Sequence, residues 1–500
     1  MATAAAAPVE QGHPRGLYLL FFTEMWERLQ YYGMRAFLVL YLVDRTRGLG
    51  WSRSEALSLY GTYTGLVFLT PVLGGYVADR FLGQRLSVAL GGTVMMLGQF
   101  ICALKGVPAL YAGLSLCVIG NGFFKANIST MVGQLYAPGD ARRDNAFTIF
   151  YMGINLGGLL GPAVCGTIAE KVDWSLGFAS AGLGMALGVL TFLGFKGRLL
   201  GPTVGRLAHA PSRAEVVTFL RGAGLVVVAG AAVAALAIWG PLAGRVDWSY
   251  VMVAAILGTM LGFFVYLVFF GRLGAEERDR VIVIFVLVTF VIFFWMAYEQ
   301  AGGLMNLYTD TKVNRRVLGF EIPTTWFQFV NSAFIVTFAP PFAVLWTRLR
   351  GAGHEPRTPT KMAYGLFLVS AGFVCMVGAA RESGGGGKAS LLWVVSAYLL
   401  HTWGELAVSP VGLSMITKLA PTRFASALMG VWFLSNSAAS KLAGMLGGAA
   451  ERLGDAETFG LIVVLTAAAG LLLLALSRRL DRMMHGAEGR APPGTPAPAA

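Results

Sequence analysis

Apolar runs long enough to cross a bilayer recur along the whole chain. Six lie near residues 17–42, 55–78, 86–104, 108–133, 146–168 and 175–195. Two follow near 217–240 and 248–271, and six more near 281–301, 324–347, 362–380, 390–413, 425–446 and 457–477. A helix needs about 20 apolar residues to span the hydrocarbon, where every backbone N–H and C=O must find its partner within the protein. The pattern therefore predicts an all-α polytopic membrane protein of 14 transmembrane helices, six plus two plus six. Composition agrees, with 56% hydrophobic and 13% charged residues and a mean hydropathy of +0.65. The 65 glycines suit helices that approach closely in lipid.

The first run carries Glu24, Glu27, Arg28 and Arg35 in its interior. Each ionised side chain at membrane depth costs roughly 2.5–3.5 kcal/mol, so the four together cost on the order of 10 kcal/mol unless pairing, hydration or a ligand offsets it. At the helical repeat, Glu24, Glu27, Arg28, Tyr31, Tyr32 and Arg35 fall within an arc of about 140°. That face must point into a water-accessible cavity, and the helix reads as one wall of a transport site. Other polar residues interrupt later runs: Lys125 in the fourth, Asn155 in the fifth, Glu299 at the end of the ninth, Asn331 in the tenth and Glu405 in the twelfth. Cations gather in the first half of the chain, whereas Glu299 and Glu405 lie in the second without a nearby cation in sequence. A cavity positive at one end and negative at the other matches a zwitterion, such as an amino acid or short peptide. Tyr31, Tyr32, Tyr63, Trp295 and Trp432 are candidates to line side-chain pockets in it.

The net charge of +13 fits a membrane protein whose basic loops face anionic lipid. No nucleic-acid motif accompanies it. With both termini in the cytoplasm, the inner loops hold nearly twice as many Lys and Arg as the outer ones, although Arg45, Arg47 and Arg53 make the first outer loop basic. The cytoplasmic membrane is the expected location, and a monomer the expected unit. Cys102, Cys117, Cys165 and Cys375 lie in apolar runs without CxxC spacing, and the five His form no HExxH. No metal or cofactor is expected, with the proton gradient as the energy source. An intramembrane enzyme would need a nucleophile and base in register, and His401, the sole His within a run, has no such arrangement around it. The first 15 residues, Ala-rich and lightly charged, give no convincing cleavable signal.

Two six-helix halves around an inserted pair suit a transporter built from repeats about a midplane site. The expected division is a tail at 1–16, a bundle at 17–195, a linker with the inserted pair at 196–280, a second bundle at 281–478, and a disordered cytoplasmic tail at 479–500 that ends in PPGTPAPAA. Between the second and third runs, the stretch from Gly75 through Asp79 and Arg80 to Arg85 is similar to the GxxxDRxGR loop of the major facilitator superfamily. A major facilitator fold is what that similarity implies.

A narrower resemblance follows. Glu24, Glu27, Arg28, Tyr31, Tyr32 and Gly33 match the ExxERFxYYG motif of the proton-dependent oligopeptide transporters. The FYxxINxG stretch at Phe150–Gly157, Glu299-Gln300, and the GExxxSPxGLS stretch at Gly404–Ser414 match as well. The resemblance covers nearly the whole chain and includes the inserted pair. It implies a proton-coupled symporter that imports di- and tripeptides by alternating access. It further implies that Arg35 pairs with Glu299 across an outer gate, and that Arg28 and Lys125, with Tyr31, hold the peptide carboxylate. Glu405, helped by Asn155 and Asn331, would bind the peptide amine. Glu24, Glu27 and Arg28 would couple protons, with Glu299 a further protonation site. Leu29 stands where the motif has Phe, Phe68 where relatives often carry a substrate-contacting Tyr, and Ser440 where they often carry Asn. The residues alone leave open nitrate, an amino acid or a modified peptide as cargo, or a peptide sensor that does not transport.

Overall fold

The computed structural model describes residues 12–137, 140, 142–207, 211–219, 221, 224 and 247–487. Among these, the first bundle comprises α1 (Arg15–Val43), α2 (Arg53–Val77), α3 (Gln84–Cys102), α4 (Val107–Gln134), α5 (Arg142–Gly161) and α6 (Trp174–Leu199). One inserted helix, α7 (Trp248–Phe270), follows; the run at 217–240 lies largely outside the described residues. The second bundle comprises α8 (Ala275–Tyr298), α9 (Trp326–Gly351), α10 (Thr358–Gly384), α11 (Leu391–Leu419), α12 (Ala425–Gly448) and α13 (Asp455–Met483). Among the described residues, eleven helical segments are long and apolar enough to cross a membrane. α1 is not among them because of its interior charges, nor is α12, which carries Ser435, Asn436, Ser437, Ser440 and Lys441.

Several helices are broken where the sequence removes a hydrogen bond or a side chain. Past Gly161, Pro162 has no N–H to donate, and α5 widens into a π turn (Pro162–Gly166) before a last helical turn at Thr167–Lys171. The Gly75–Arg85 loop is a π turn (Ala78–Leu82) closed by Gly83 at φ +75°, a conformation that favours glycine. α8 tightens into a 3-10 turn at Glu299–Gly302 and resumes at Leu304–Lys312, eleven residues past the expected end of that run. The extension is held by Leu304, Met305, Leu307 and Tyr308, all buried. It leads to a hairpin, β1 (Arg316–Val317) on β2 (Phe320–Glu321), paired antiparallel.

Small residues set the packing. Gly153, Gly157 and Gly161 form a ladder at four-residue spacing along α5, and α1 lies directly against it. A Cβ at Gly157 would sit 2.4 Å from the Met25 carbonyl oxygen, and one at Gly161 would sit 2.5 Å from that of Leu29. α2 packs on α12 and α5 on α9, which joins the two bundles. Of the expected disordered tail at 479–500, residues 488–500 lie outside the described residues, and residues 479–483 are helical. α13 runs on to Met483 because Leu480 and Met484 are buried and Asp481 pairs with Arg357.

Polar ties between the bundles gather at the end remote from the chain termini. Arg53 pairs with Asp455 at 2.9 Å, Asn306 donates to the Ala36 carbonyl at 2.7 Å, and Trp326 donates to Thr167 at 2.7 Å. Glu170 accepts the backbone N–H groups of Thr324 and Thr325 at 2.9 and 2.7 Å.

Candidate functional site

The charged face of α1 is where the helical repeat puts it. Glu24 and Glu27 are fully buried, and Arg28, Tyr31 and Arg35 nearly so. Two ion-pair groups form along it. Arg28 grips Glu27 with both ends of its fork, Nη2 to Oε1 at 2.7 Å and Nε to Oε2, and its Nε also lies 3.3 Å from Glu24 Oε1. Lys125 Nζ reaches the same Glu24 oxygen at 2.7 Å, so one α4 cation and one α1 cation share the two carboxylates. A further two turns along, Arg35 Nη2 meets Glu299 Oε2 at 2.8 Å while its Nε donates to the Tyr60 hydroxyl at 2.6 Å. The 3-10 turn after α8 places Glu299 there, across the bundle boundary.

On the opposite wall Glu405 pairs with no cation among the described residues. Its Oε2 accepts from the Tyr298 hydroxyl at 2.5 Å and from Asn331 Nδ2 at 3.0 Å. Asn331 also reaches the Thr402 hydroxyl at 3.1 Å, which fixes the amide between α9 and α11. Both groups open on one cavity of about 310 Å³, with Arg28, Tyr31, Arg35 and Lys125 on the first-bundle side and Glu299, Asn331 and Glu405 on the other. The buried Tyr31 hydroxyl and Trp295 Nε1 find no protein partner at this cavity. Polar atoms buried without a partner are costly, and a bound polar ligand can satisfy them.

Of the residues singled out in the sequence, Arg28, Tyr31, Tyr32, Arg35, Lys125, Asn155, Trp295, Glu299, Asn331 and Glu405 line this cavity. Asn155 donates to the Tyr151 carbonyl at 3.0 Å rather than supporting Glu405. Two residues expected at the cavity are elsewhere. Tyr63 is buried in the first-bundle core, 3% exposed, while α2 turns Val67, Phe68 and Pro71 to the cavity. Trp432 packs its ring on Gly412, and the next residue, Phe433, takes the cavity position. The sequence reading missed Tyr60 and Tyr298, the hydroxyls that hold Arg35 and Glu405. Tyr298 adjoins the Glu299-Gln300 pair, which was a usable signal; Tyr60 gave none.

The POT family model matches residues 85–455. The peptide transporter YePEPT of Yersinia enterocolitica is 36% identical over 493 residues, covering 95% of this chain and 96% of the relative. A di-/tripeptide transporter of Lactococcus lactis is 33% identical, covering 95% and 97%. A crystal structure of a peptide transporter POT in complex with sulfate superposes with a TM-score of 0.89 at 36% identity, covering 95% of this chain and 96% of that one. Relatives named as peptide transporters thus match this chain in sequence and in fold along nearly its full length, and the chain belongs to the POT family, the proton-dependent oligopeptide transporters.

Proposed function

We propose that this chain is a proton-coupled symporter that imports di- and tripeptides across the cytoplasmic membrane by alternating access, as a monomer with both termini in the cytoplasm. The observation that carries this reading is the split charge of the cavity, with Arg28 and Lys125 on one wall and the cation-free Glu405 on the other. A peptide presents a carboxylate and an ammonium at opposite ends. Its carboxylate competes with Glu24 and Glu27 for Arg28 and Lys125, and the carboxylate that loses its cation takes up a proton. Its ammonium supplies the charge that Glu405 lacks. The names of the Yersinia and Lactococcus relatives support the same substrate class.

In this orientation the ties at Arg35–Glu299, Arg53–Asp455 and Glu170 close the outer end, so the conformation is the one from which substrate leaves inward. Purified protein in proteoliposomes should take up di-alanine and tri-alanine only with an inward proton gradient, with alanine and nitrate excluded. Uptake that continues unchanged with a protonophore would overturn the coupling, and transport of nitrate or alanine alone would overturn the substrate class.

A further inference from the structure

A second cavity, of about 800 Å³, opens on the flank of the molecule between α2, α7 and α12, at the end remote from the termini. Lys441 of α12 is its one basic lining residue and is only 2% exposed. Its Nζ donates to the Thr62 hydroxyl at 2.7 Å, and to Ser58 Oγ and the Ser58 carbonyl at 3.2 and 3.3 Å. These acceptors are neutral, and among the described residues Lys441 forms no ion pair. A buried cation whose hydrogen bonds all go to neutral acceptors is costly, and Asp247 acts on it across the cavity without closing an ion pair, so the cavity has room for a further anionic group beside Lys441.

The other lining residues select which anion. Ser54, Ser58 and Thr62 present hydroxyls at four-residue spacing along α2, and Ser249 joins Ser58 at 3.2 Å. Glu55 and Asp247 also line the cavity, so a ligand with net negative charge meets repulsion there. Trp51, Tyr111 and Trp248 surround the same space, the aromatic set found where membrane meets water. Beyond it α7 runs on with Val251, Leu261, Phe269 and Phe270 exposed, an apolar face for acyl chains.

We propose that this cavity binds the headgroup of a zwitterionic aminophospholipid. The phosphate accepts from Lys441, in place of its long contact to the Ser58 carbonyl, and from the Ser54 and Ser58 hydroxyls, while Thr62 keeps its bond to the Ser58 carbonyl. The primary ammonium donates to Asp247 and Glu55, and the acyl chains follow α7. An anionic headgroup would satisfy Lys441 but face both carboxylates. A choline headgroup would supply positive charge but no N–H to donate. Because Lys441 of α12 bonds to Ser58 and Thr62 of α2, the site exists only while the two bundles are joined at this end.

The full-length protein, delipidated in detergent and titrated with phosphatidylethanolamine, phosphatidylcholine or phosphatidylglycerol of identical chains, can be read by native mass spectrometry. The ethanolamine lipid should be retained over both others, and Lys441→Gln should weaken its retention about tenfold, the scale of one charge-assisted hydrogen bond. Asp247→Asn, which leaves Glu55 alone to face the ammonium, should narrow the preference for the ethanolamine over the choline lipid. Retention by Lys441→Gln at the wild-type level, or equal retention of all three lipids by the unmutated protein, would overturn the proposal. Should Lys441→Gln fail to fold, the exposed Asp247 decides: an unchanged preference for ethanolamine over choline in Asp247→Asn overturns it.

Discussion

At the scale of single residues the site divides charges by what each can do when its neighbour leaves. Among the described residues Glu405 is held by Tyr298 and Asn331, both neutral, and in the proposed function a substrate ammonium is the cation that pairs with it. Glu405→Gln should weaken binding of free dipeptides about 10–100-fold, the range of a charge-assisted hydrogen bond, and leave N-acetylated dipeptides nearly unaffected. Equal losses for both in a counterflow competition would make Glu405 structural. Glu27 differs, because its partner Arg28 also faces the cavity. Glu27→Gln should abolish gradient-driven accumulation while leaving counterflow measurable, since counterflow requires no net proton movement; Arg28→Ala should damage both. Wild-type accumulation by Glu27→Gln would move the proton site towards Glu299. Most of this site was legible because ionised residues in apolar runs have no inexpensive alternative to a cavity. Tyr63 and Trp432 misled for the opposite reason: an aromatic in a span satisfies core packing equally well, and only the turn of α2 and α12 decides which face it meets.

At the scale of elements, the long helices among the described residues were readable from apolar length, and helix ends less so. The continuation of α8 through Lys312 follows from burial of Leu304 and Tyr308 against other helices, which apolar periodicity in one run does not encode. The α1–α5 contact is the element on which the site depends, since it fixes the depth of Glu27 and Arg28. Gly157→Val would push carbons into the Met25 carbonyl and the Arg28 side chain. Overpacking of this kind costs about 1–3 kcal/mol, so the variant should show a lower melting temperature and misplace the charged face, with loss of counterflow. Unchanged melting and counterflow would show that the close approach is not required. The loop after α9 offers a separate handle on pH. Hydrogen bonds from Arg350 and Lys361 hold the Glu355 carboxyl down at about 2, below the ordinary carboxylate value. A lowered folded-state value stabilises the protein above the unfolded value and is lost as pH falls through the folded one. Glu355→Gln should therefore melt earlier than wild type at pH 7, with the gap narrowing from pH 4 downward; a gap independent of pH would assign the effect to packing.

At the scale of the whole molecule, two bundles share one cavity and are tied at one end, so the ties decide which side the cavity faces. Arg35–Glu299 is the tie that sits at the cavity itself, within reach of substrate and proton. Removing the charge of Glu299 leaves Arg35 buried with only the Tyr60 hydroxyl. Breaking one side of a buried pair costs about 3–5 kcal/mol, and about 5.5 kcal/mol carries a two-state equilibrium from 1:99 to 99:1. A single protonation there is thus large enough to move the population substantially, with opening of the tied end returning Arg35 to water. Glu299→Gln imitates the protonated state. Spin labels on the exposed Leu104 and Lys388 report the tied end, and labels on the exposed Arg198 and Lys418 report the end nearer the termini. By double electron–electron resonance, Glu299→Gln should lengthen the first distance and shorten the second, each by at least about 5 Å, the scale of one helical turn. Arg53→Ala, which removes a tie of solvent-accessible groups, should shift the same populations far less. If the two distances in Glu299→Gln match those of the wild type, the gate is not set by the charge of Glu299, and the remaining ties at Glu170 and Asn306 must hold the end closed without it.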